Sequence, residues 1–190
     1  MPPDIQNSSL SFSARPRQSP SFIFVAEELK IRKSMSELPS LVIREAKKED
    51  LKKVFEIELK CFPDPYPIDL LKKLLSTYPE TFLVAEFEGR IVGYIIAGIR
   101  WLSIGHILAI AVDPDYRNRG IGSALMKEIF RRFRKHGVTL VRLEVRKSNV
   151  TAIKFYRTLG FVERFEVPFY YADGESAITM ERDLSPTPAS

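Results

Sequence analysis

Two glycines, Gly120 and Gly122, open an amphipathic helix directly after an apolar strand and a proline turn. Glycine tolerates a positive φ and lets a ligand come close to the backbone. The unpaired N–H groups at a helix start, with the helix dipole behind them, attract phosphate oxygens. Arg117 and Arg119 would add positive charge at the same place. The pattern therefore predicts a pyrophosphate-binding loop, or else an ordinary strand–turn–helix with a glycine-rich bend.

Two other phosphate-binding motifs are excluded by particular residues. A dinucleotide-binding G-x-G-x-x-G pattern fails because Leu125 occupies the position of its last glycine. A P-loop fails because no G-K-S or G-K-T sequence occurs anywhere in the chain. The glycine loop is therefore of a different kind.

Glu144 is a candidate general base. It lies between Leu143 and Val145 on a predicted strand, so its carboxylate points away from the face that carries these apolar side chains. A carboxylate held in this way can take a proton from a reacting group. The alternative is an exposed strand glutamate that pairs with Arg142 or Arg146.

His106 and Tyr156 are the next candidates for acid–base chemistry. His106 lies on a neighbouring predicted strand, where it could assist a base, bind substrate or only satisfy its own hydrogen bonds. With Glu144 it would supply two metal ligands, which make an incomplete site, and no metal is expected. Tyr156 follows Asn149, the predicted cap of the last helix, and its phenol could donate a proton or simply pack in the core.

Composition restricts the class of protein. At 190 residues, 45% of them hydrophobic, the chain suits one domain with a sizeable core. Its one cysteine, Cys61, allows neither an internal disulfide nor a cysteine-based zinc site, and it favours a reducing, cytoplasmic compartment. The net charge of +5 suits a polyphosphate ligand or an acidic peptide surface, and the basic residues lack the interleaved aromatics of a nucleic-acid site. No membrane span or secretory signal is predicted.

The hydrophobic pattern predicts elements in the order β-α-α-β-β-β-α-β-α-β-β over residues 41–184. Short turns join the early strands and helices join the later ones, so the sheet should be mixed, with parallel pairing where a helix crosses over. The predicted fold class is α/β, with a central sheet of six to seven strands and about four helices. The last hairpin is placed at residues 161–169 and 177–182.

The two ends of the chain are predicted to lie outside this domain. Residues 1–40 are rich in proline and serine, so they are predicted to form a flexible extension, although residues 22–25 could dock on the domain. Met35 could be an alternative start. Residues 185–190 are predicted to be a free tail.

Two long motifs, in the correct order, resemble one family. Residues 112–122, V-D-P-D-Y-R-N-R-G-I-G, resemble the acetyl-CoA pyrophosphate loop of the GNAT superfamily of acetyltransferases. Residues 143–161, L-E-V-R-K-S-N-V-T-A-I-K-F-Y-R-T-L-G-F, are similar to a block of its N-terminal acetyltransferases. Residues 170–177, Y-Y-A-D-G-E-S-A, resemble a turn of the ribosomal-protein alanine and archaeal Ard1-like branch. The resemblance spans residues 41–184.

The resemblance implies a GNAT fold, acetyl-CoA as co-substrate and an N-terminal α-amine as acceptor, on a peptide, a nascent chain or a ribosomal protein. In the family, a bulge splays two parallel strands and admits the co-substrate, and a backbone N–H there polarises the thioester carbonyl. Carried over to this sequence, the resemblance makes Glu144 the base and Tyr156 the acid that protonates the leaving thiolate. The implied co-substrate-binding residues are Ile110, Ala111, Val112, Arg117, Asn118, Arg119, Gly120, Ile121, Gly122, Ser123, Asn149 and Tyr156. The implied acceptor-binding residues are Asp64, where the family often has glutamate, Tyr66, His106 and Tyr171.

Two other functions stay open at this point. An acetyltransferase of the same family could act on lysine, a polyamine or another small-molecule amine. The chain could also be a non-catalytic protein that binds CoA or nucleic acid, but the presence of both Glu144 and Tyr156 argues against it.

Overall fold

A seven-stranded mixed sheet runs through the part of the chain that the computed structural model describes, residues 41–100 and 103–185. The strands are β1 (Leu41–Glu45), β2 (Phe82–Phe87), β3 (Arg90–Arg100), β4 (Ile104–Val112), β5 (Leu140–Arg146), β6 (Val162–Val167) and β7 (Ala177–Asp183). The helices are α1 (Leu51–Cys61), α2 (Ile68–Thr77), α3 (Ile121–Lys135) and α4 (Val150–Thr158). The strand order is β1-β2-β3-β4-β5-β7-β6. The predicted fold class is confirmed.

Within the described residues, neighbouring strands pair antiparallel everywhere except between β4 and β5, which are parallel. β2 and β3 join through a tight turn in which Glu88 and Gly89 have φ angles of 50° and 74°. Two positive angles in succession give a turn whose twist matches that of the flanking strands. α3 fills the crossover between β4 and β5, as a parallel connection requires. The predicted change from antiparallel to parallel pairing therefore occurs where α3 intervenes.

Apolar layers cover both faces of the sheet. α3 and α4 pack on one face, where Leu125 and Phe133 are fully buried. α1 and α2 pack on the other face, where Ile57 and Leu71 are fully buried. Because close-packed interiors deform little, the helices fix the strands between them and hold any site at the sheet edge in place.

The predicted closing hairpin is too long. Its first strand was expected at residues 161–169 but ends at Val167 as β6. Phe169 lies in a turn with a φ of 53°, an angle that strand residues do not adopt. The predicted extension (residues 1–40, with Met35 and residues 22–25) and residues 186–190 of the predicted tail lie outside the described residues. In the part that the structure describes, no helix is both long and apolar enough to cross a bilayer.

Candidate active site

The parallel strands β4 and β5 separate at the point where the candidate residues converge. They pair only over residues 104–107 of β4 and 140–143 of β5, although both strands continue further. At the same point β4 shifts register against β3, which leaves Leu108 as the extra residue of a β-bulge. The bulge also places Ile107 and Ala111 in opposite cores. Beyond it the two strands form an open fork with Ile110, Ala111 and Val112 along its β4 side.

The glycine loop leads from this fork into α3 with an exposed backbone. Asn118 and Gly120 have φ angles of 60° and 75°, so the chain turns sharply before the helix begins. Among the described residues no side chain caps α3, and its first helical bond runs from the Ala124 N–H to the Gly120 carbonyl at 2.9 Å. The N–H groups of residues 121–123 are therefore free to meet a ligand. This arrangement fits a phosphate group.

Two arginines border the loop and keep their charge accessible. The Arg117 Nε atom lies 3.2 Å from the Val112 carbonyl oxygen, and its Nη2 atom lies 3.4 Å from Cys61 Sγ. The Arg119 guanidinium lies over the Tyr116 ring at 5.2 Å from the centroid. Both arginines remain exposed. They are therefore oriented by the protein without being neutralised by it.

Glu144 and His106 face each other at the base of the fork. The His106 Nε2 and Glu144 Oε2 atoms are 2.6 Å apart, and the two side chains are 16% and 14% exposed. His106 lies in the paired stretch of β4, and Glu144 is the first residue of β5 beyond its paired stretch. Arg142 and Arg146, the alternative partners expected for Glu144, bind other carboxylates instead. A carboxylate hydrogen-bonded to an imidazole is suited to accepting and passing on a proton.

Tyr156 projects from α4 into an aromatic group. Its ring centroid lies 5.4 Å from that of Phe155 and 5.8 Å from that of Phe161, and the residue is 8% exposed. Burial, with a smaller effect of Tyr171, raises the pKa of the Tyr156 phenol above its ordinary value. The phenol therefore keeps its proton at neutral pH and can donate it. Asn149 caps α4 as expected, because its Oδ1 atom accepts a hydrogen bond from the Ala152 N–H at 3.0 Å.

The turn between α1 and α2 is fastened to the bulge by Tyr66. The Tyr66 hydroxyl donates to the Leu108 carbonyl at 3.4 Å, and its N–H donates to Glu58 Oε2 at 2.8 Å. The other oxygen of Glu58 accepts from the Tyr94 hydroxyl. Glu58 is 2% exposed, and this burial raises the pKa of its carboxyl to about 7. One buried carboxyl thus holds both a core tyrosine and the Tyr66 turn.

The loop between β6 and β7 forms the facing wall of the fork. The Tyr170 and Tyr171 rings meet edge to face, with centroids 5.0 Å apart. The Arg146 guanidinium lies over the Tyr171 ring, and its central carbon is 4.0 Å from the centroid of that ring. Asp64 binds the same guanidinium, at 3.0 Å from Nη2. Arg146 therefore joins two of the predicted acceptor residues, Asp64 and Tyr171.

The predicted site residues fall into three groups around the fork, and three further residues join them. Glu144 and His106 lie at its base, Tyr156 projects from the helix that follows β5, the glycine loop opens beside the fork, and Tyr66 and Tyr171 stand on its two walls. Sequence reasoning missed Tyr170, Glu58 and Arg146 as parts of this region. Tyr170 packs against Tyr171, and burial, followed by the charge of Glu144, raises the pKa of its phenol. The tyrosine doublet at positions 170 and 171 was the signal that could have found it.

The described residues contain no cluster of three or more His, Cys, Asp or Glu side chains suited to a metal ion. The pair of His106 and Glu144 therefore gains no third ligand of these types within that part of the chain. What the fork does offer is a backbone cradle for phosphate, a carboxylate–imidazole pair and a protonated phenol, which together suit acyl transfer from a phosphate-bearing donor.

Comparison with known proteins gives matches over most of this domain. The sequence model of the acetyltransferase (GNAT) family matches residues 51–161. An uncharacterized N-acetyltransferase of Methanocaldococcus jannaschii is 43% identical over 141 residues, which cover 74% of this chain and 90% of that protein. An N-alpha-acetyltransferase of Sulfurisphaera tokodaii is 36% identical over 154 residues, covering 75% of this chain and 92% of that protein.

A solved structure shows the same architecture. The crystal structure of Ard1 from Thermoplasma volcanium superposes with a TM-score of 0.75 and 36% sequence identity, covering 77% of this chain and 99% of that one. The resemblance inferred from the two sequence motifs is thereby confirmed.

Proposed function

This chain belongs to the acetyltransferase (GNAT) family and is an acetyl-CoA-dependent N-acetyltransferase, and from that premise we propose that it acetylates the N-terminal α-amine of a protein or peptide. The observation that carries the proposal is the pair of Glu144 and His106, 2.6 Å apart at the base of the fork. It lies between a phosphate-binding loop and two aromatic walls, where an acceptor could enter opposite the acetyl donor. Relatives named N-alpha-acetyltransferase and N-terminal acetyltransferase A complex catalytic subunit support the same acceptor.

The proposed place of acetyl-CoA follows from the backbone groups around the fork. The N–H groups of residues 121–123 would bind its pyrophosphate, with Arg117 and Arg119 adding charge at the mouth. Residues 110–112 of β4 would present N–H and C=O groups to the acetyl and pantetheine parts. One such N–H would stabilise the oxyanion that forms when the thioester carbonyl is attacked.

The proposed reaction needs two proton transfers. The acceptor amine gives up a proton to Glu144, directly or through water, and His106 holds that carboxylate in place. The amine nitrogen then forms a bond to the carbonyl carbon, and the carbon–sulfur bond breaks. The electron pair of that bond leaves with the sulfur, and Tyr156 supplies the proton that converts the thiolate to a thiol.

The basicity of the acceptor favours an α-amine. At pH 7, removing the proton from an α-amine of pKa about 7.7–8.0 costs about 1 kcal/mol. For a lysine of pKa about 10.4 the cost is about 4.6 kcal/mol. A single carboxylate base supported by one imidazole suits the smaller of these tasks. Lysine, polyamines and small amines remain the alternative acceptors.

The walls of the fork suit a peptide chain. Tyr66 on one wall and Tyr170 and Tyr171 on the other present rings and hydroxyls, which can bind a peptide backbone without selecting strongly among side chains. An acceptor terminus of a nascent chain or a ribosomal protein would fit such a cleft. The single cysteine, Cys61, agrees with the cytoplasm as the proposed location.

A peptide panel tests the acceptor. Peptides that begin Ser, Ala, Met-Glu and Met-Leu should be acetylated with acetyl-CoA, and each should become inert when its α-amine is blocked beforehand. Each blocked peptide carries an internal lysine, and spermidine and free amino acids complete the set. If only the blocked peptides or only spermidine were acetylated, the acceptor would be a lysine or another amine and not the N-terminal α-amine. Salt-dependent nucleic-acid binding with no turnover on any amine would indicate a non-catalytic protein.

A further inference from the structure

Arg146 occupies an unusual position at the end of β5. It lies two residues after Glu144, so both side chains project from the same face of the strand. Its guanidinium lies 3.0 Å from Asp64, 2.7 Å from Asp173 and 2.8 Å from Glu175, and the side chain is 16% exposed. One cation therefore meets three carboxylates directly beside the proposed base.

These carboxylates come from two separate segments. Asp64 belongs to the turn between α1 and α2, 82 positions before Arg146, and this turn also carries Tyr66. Asp173 and Glu175 belong to the loop between β6 and β7, which also carries Tyr170 and Tyr171. The segments 62–67 and 168–176 are here called the acceptor walls. Arg146 is bound to both.

Hydrogen bonds within the loop wall, and from the chain just after β5, organise this wall, and Arg146 adds ion pairs from β5 itself. The Glu175 carboxylate accepts the Ser148 N–H at 2.8 Å, and the Asp173 carboxylate accepts the Glu175 N–H at 3.0 Å. Hydrogen bonds from Ser148, and then Arg146, hold the pKa of Glu175 at about 2, so this carboxylate stays ionised. The Arg146 guanidinium also lies over the Tyr171 ring, 4.0 Å from the ring centroid, which is a cation–π contact.

Only an arginine has the shape for this arrangement. Its planar guanidinium carries five N–H donors that can reach several carboxylates at once, whereas a lysine ammonium acts as a single point charge. Here Nη1 serves Asp173 and Glu175, and Nη2 serves Asp64. Without the cation, three carboxylates of like charge would repel one another and push the walls apart.

We propose that Arg146 is a positioning residue that holds the two acceptor walls at the separation an acceptor peptide requires. This inference rests on the proposed function, because the separation of the walls matters to catalysis only if a peptide binds between them. The ion pairs of Arg146 involve neither the glycine loop nor Glu144. Arg146 therefore acts on acceptor binding and not on acetyl-CoA binding.

The kinetic test uses a matched pair of arginines on one strand face. Arg146→Gln should raise the KM for the best peptide of the panel about tenfold, with kcat and the KM for acetyl-CoA within about twofold. Arg142→Gln is the control, because Arg142 binds Glu181 at 2.6 Å and contacts neither acceptor wall. In this control Glu181 still has Arg164 as an ion-pair partner, at 3.1 Å. Arg146→Lys should recover only part of the lost affinity. Equal rises in KM for peptide and acetyl-CoA would overturn the proposal.

A coupling measurement separates the contact from a general loss of packing. Asp64→Asn alone should raise the peptide KM a few-fold, but it should add almost nothing in the Arg146→Gln background, because the contact is already lost. Fully additive effects of the two changes would contradict the assigned contact.

Amide hydrogen exchange gives a readout that does not depend on activity. Residues 62–67 and 168–176 should exchange faster in Arg146→Gln than in the unaltered chain, while Arg142→Gln leaves both segments unchanged. If the unaltered chain acetylates no peptide, the proposed function fails but exchange still decides whether Arg146 holds the walls. Unchanged exchange in both segments would overturn the inference even in an active enzyme.

Discussion

Backbone groups form most of one side of the fork, and side chains form most of the other. The glycine loop, residues 112–123, presents mostly backbone, with positive φ at Asn118 and Gly120 and no side-chain cap on α3 among the described residues. The acceptor walls present mostly side chains, tyrosines and carboxylates that Arg146 ties together. A short local stretch therefore determines the first side, whereas contacts between distant segments determine the second.

This difference leads to separable effects of mutation. A backbone site for pyrophosphate depends on chain conformation, so changes there should alter the KM for acetyl-CoA alone. A wall made of side chains depends on its ion pairs and rings, so changes there should alter the KM for the acceptor. In the proposed reaction the fork between them carries the proton transfers, so changes there should alter kcat and leave both KM values nearly constant.

The largest effect is expected at the fork, for Glu144→Gln. The amide keeps the shape of the side chain but cannot take the proton, so kcat should fall by ~10²–10⁴. The KM values for both substrates should change little. The remaining rate should rise with pH, because more of the amine then loses its proton without help. Initial rates from pH 6 to 9 measure this.

A matched carboxylate serves as the control for that variant. Glu181→Gln removes a carboxylate from β7 that pairs with Arg142 and Arg164. It should lower the melting temperature but leave kcat within about twofold. A normal rate in Glu144→Gln at neutral pH would refute the base assignment and move it to His106 or to an ordered water.

Tyr156→Phe tests the second proton transfer at the same fork. The ring and its packing against Phe155 and Phe161 remain, but the donor is lost, so kcat should fall by about 10²-fold. Unlike Glu144→Gln, this variant should not be rescued by high pH. The loss should shrink with an acyl donor whose thiol is more acidic, because such a thiolate leaves without a proton. An identical response of both variants to pH and leaving group would mean that the two roles are confused.

The contrast between backbone and side-chain sites also explains what the sequence could predict. The mixed sheet, the helix at Ile121 and the cap at Asn149 follow from local periodicity, glycines and capping residues. The pairing of Glu144 with His106 depends on strand register, so the sequence left several partners open for each. Arg146 gave no local signal of its role, because its three carboxylate partners lie 82, 27 and 29 positions away.

The closing hairpin shows the same limit in the fold. Its residues 161–169 alternate well enough to be read as one strand, but the positive φ of Phe169 ends the strand early. The aromatic residues favour a strand, but Pro168 was an available signal for its end, because proline cannot donate to the strand ladder. The shorter strand lets Tyr170 and Tyr171 lie in the loop, where they contribute to the wall.

Gly120→Ala tests the backbone side by itself, with Gly137→Ala as its control. These glycines lie just outside the two ends of α3 with φ angles of 75° and 73°, and an added Cβ would meet nothing within 4 Å at either place. Both variants should lose about 1 kcal/mol of folding stability through left-handed strain. Only Gly120→Ala should also raise the KM for acetyl-CoA, by about tenfold, because its methyl group stands where phosphate must approach.

The test compares the KM for acetyl-CoA and the KM for peptide in Gly120→Ala with those in Gly137→Ala. The peptide KM should stay constant in both variants, and isothermal titration with CoA should repeat the difference in acetyl-CoA affinity. Gly122 is a less clean choice, because its Cβ would lie 3.3 Å from Phe155 Cζ and would disturb packing as well. Equal CoA affinities in Gly120→Ala and Gly137→Ala would break the assignment of the glycine loop to pyrophosphate.

The smallest effect on turnover concerns Glu58, which supports the side-chain wall through Tyr66 and acts on stability. Burial raises the pKa of its carboxyl from 4.5 to about 7, so the folded protein disfavours the ionised form. Its contribution to stability is therefore fully present below pH 4.5 and is lost as the pH rises through about 7. The loss can reach about 3 kcal/mol, which corresponds to a fall in melting temperature of several degrees.

Glu58→Gln removes this titration. Between pH 5 and pH 8, the melting temperature of the variant should therefore fall less than the melting temperature of the unaltered chain. Glu128→Gln is the control, because Arg131, and then Arg132, lower the pKa of Glu128 to about 2. The contribution of Glu128 is lost only as the pH falls from 4.5 towards 2, so this variant should leave the change between pH 5 and pH 8 as it was. Equal slopes for Glu58→Gln and the unaltered chain would show that Glu58 is already ionised at pH 5. In that case the Tyr66 and Tyr94 donors would outweigh the burial of the carboxyl, and the turn that carries Tyr66 would be held by a charge over the whole neutral range.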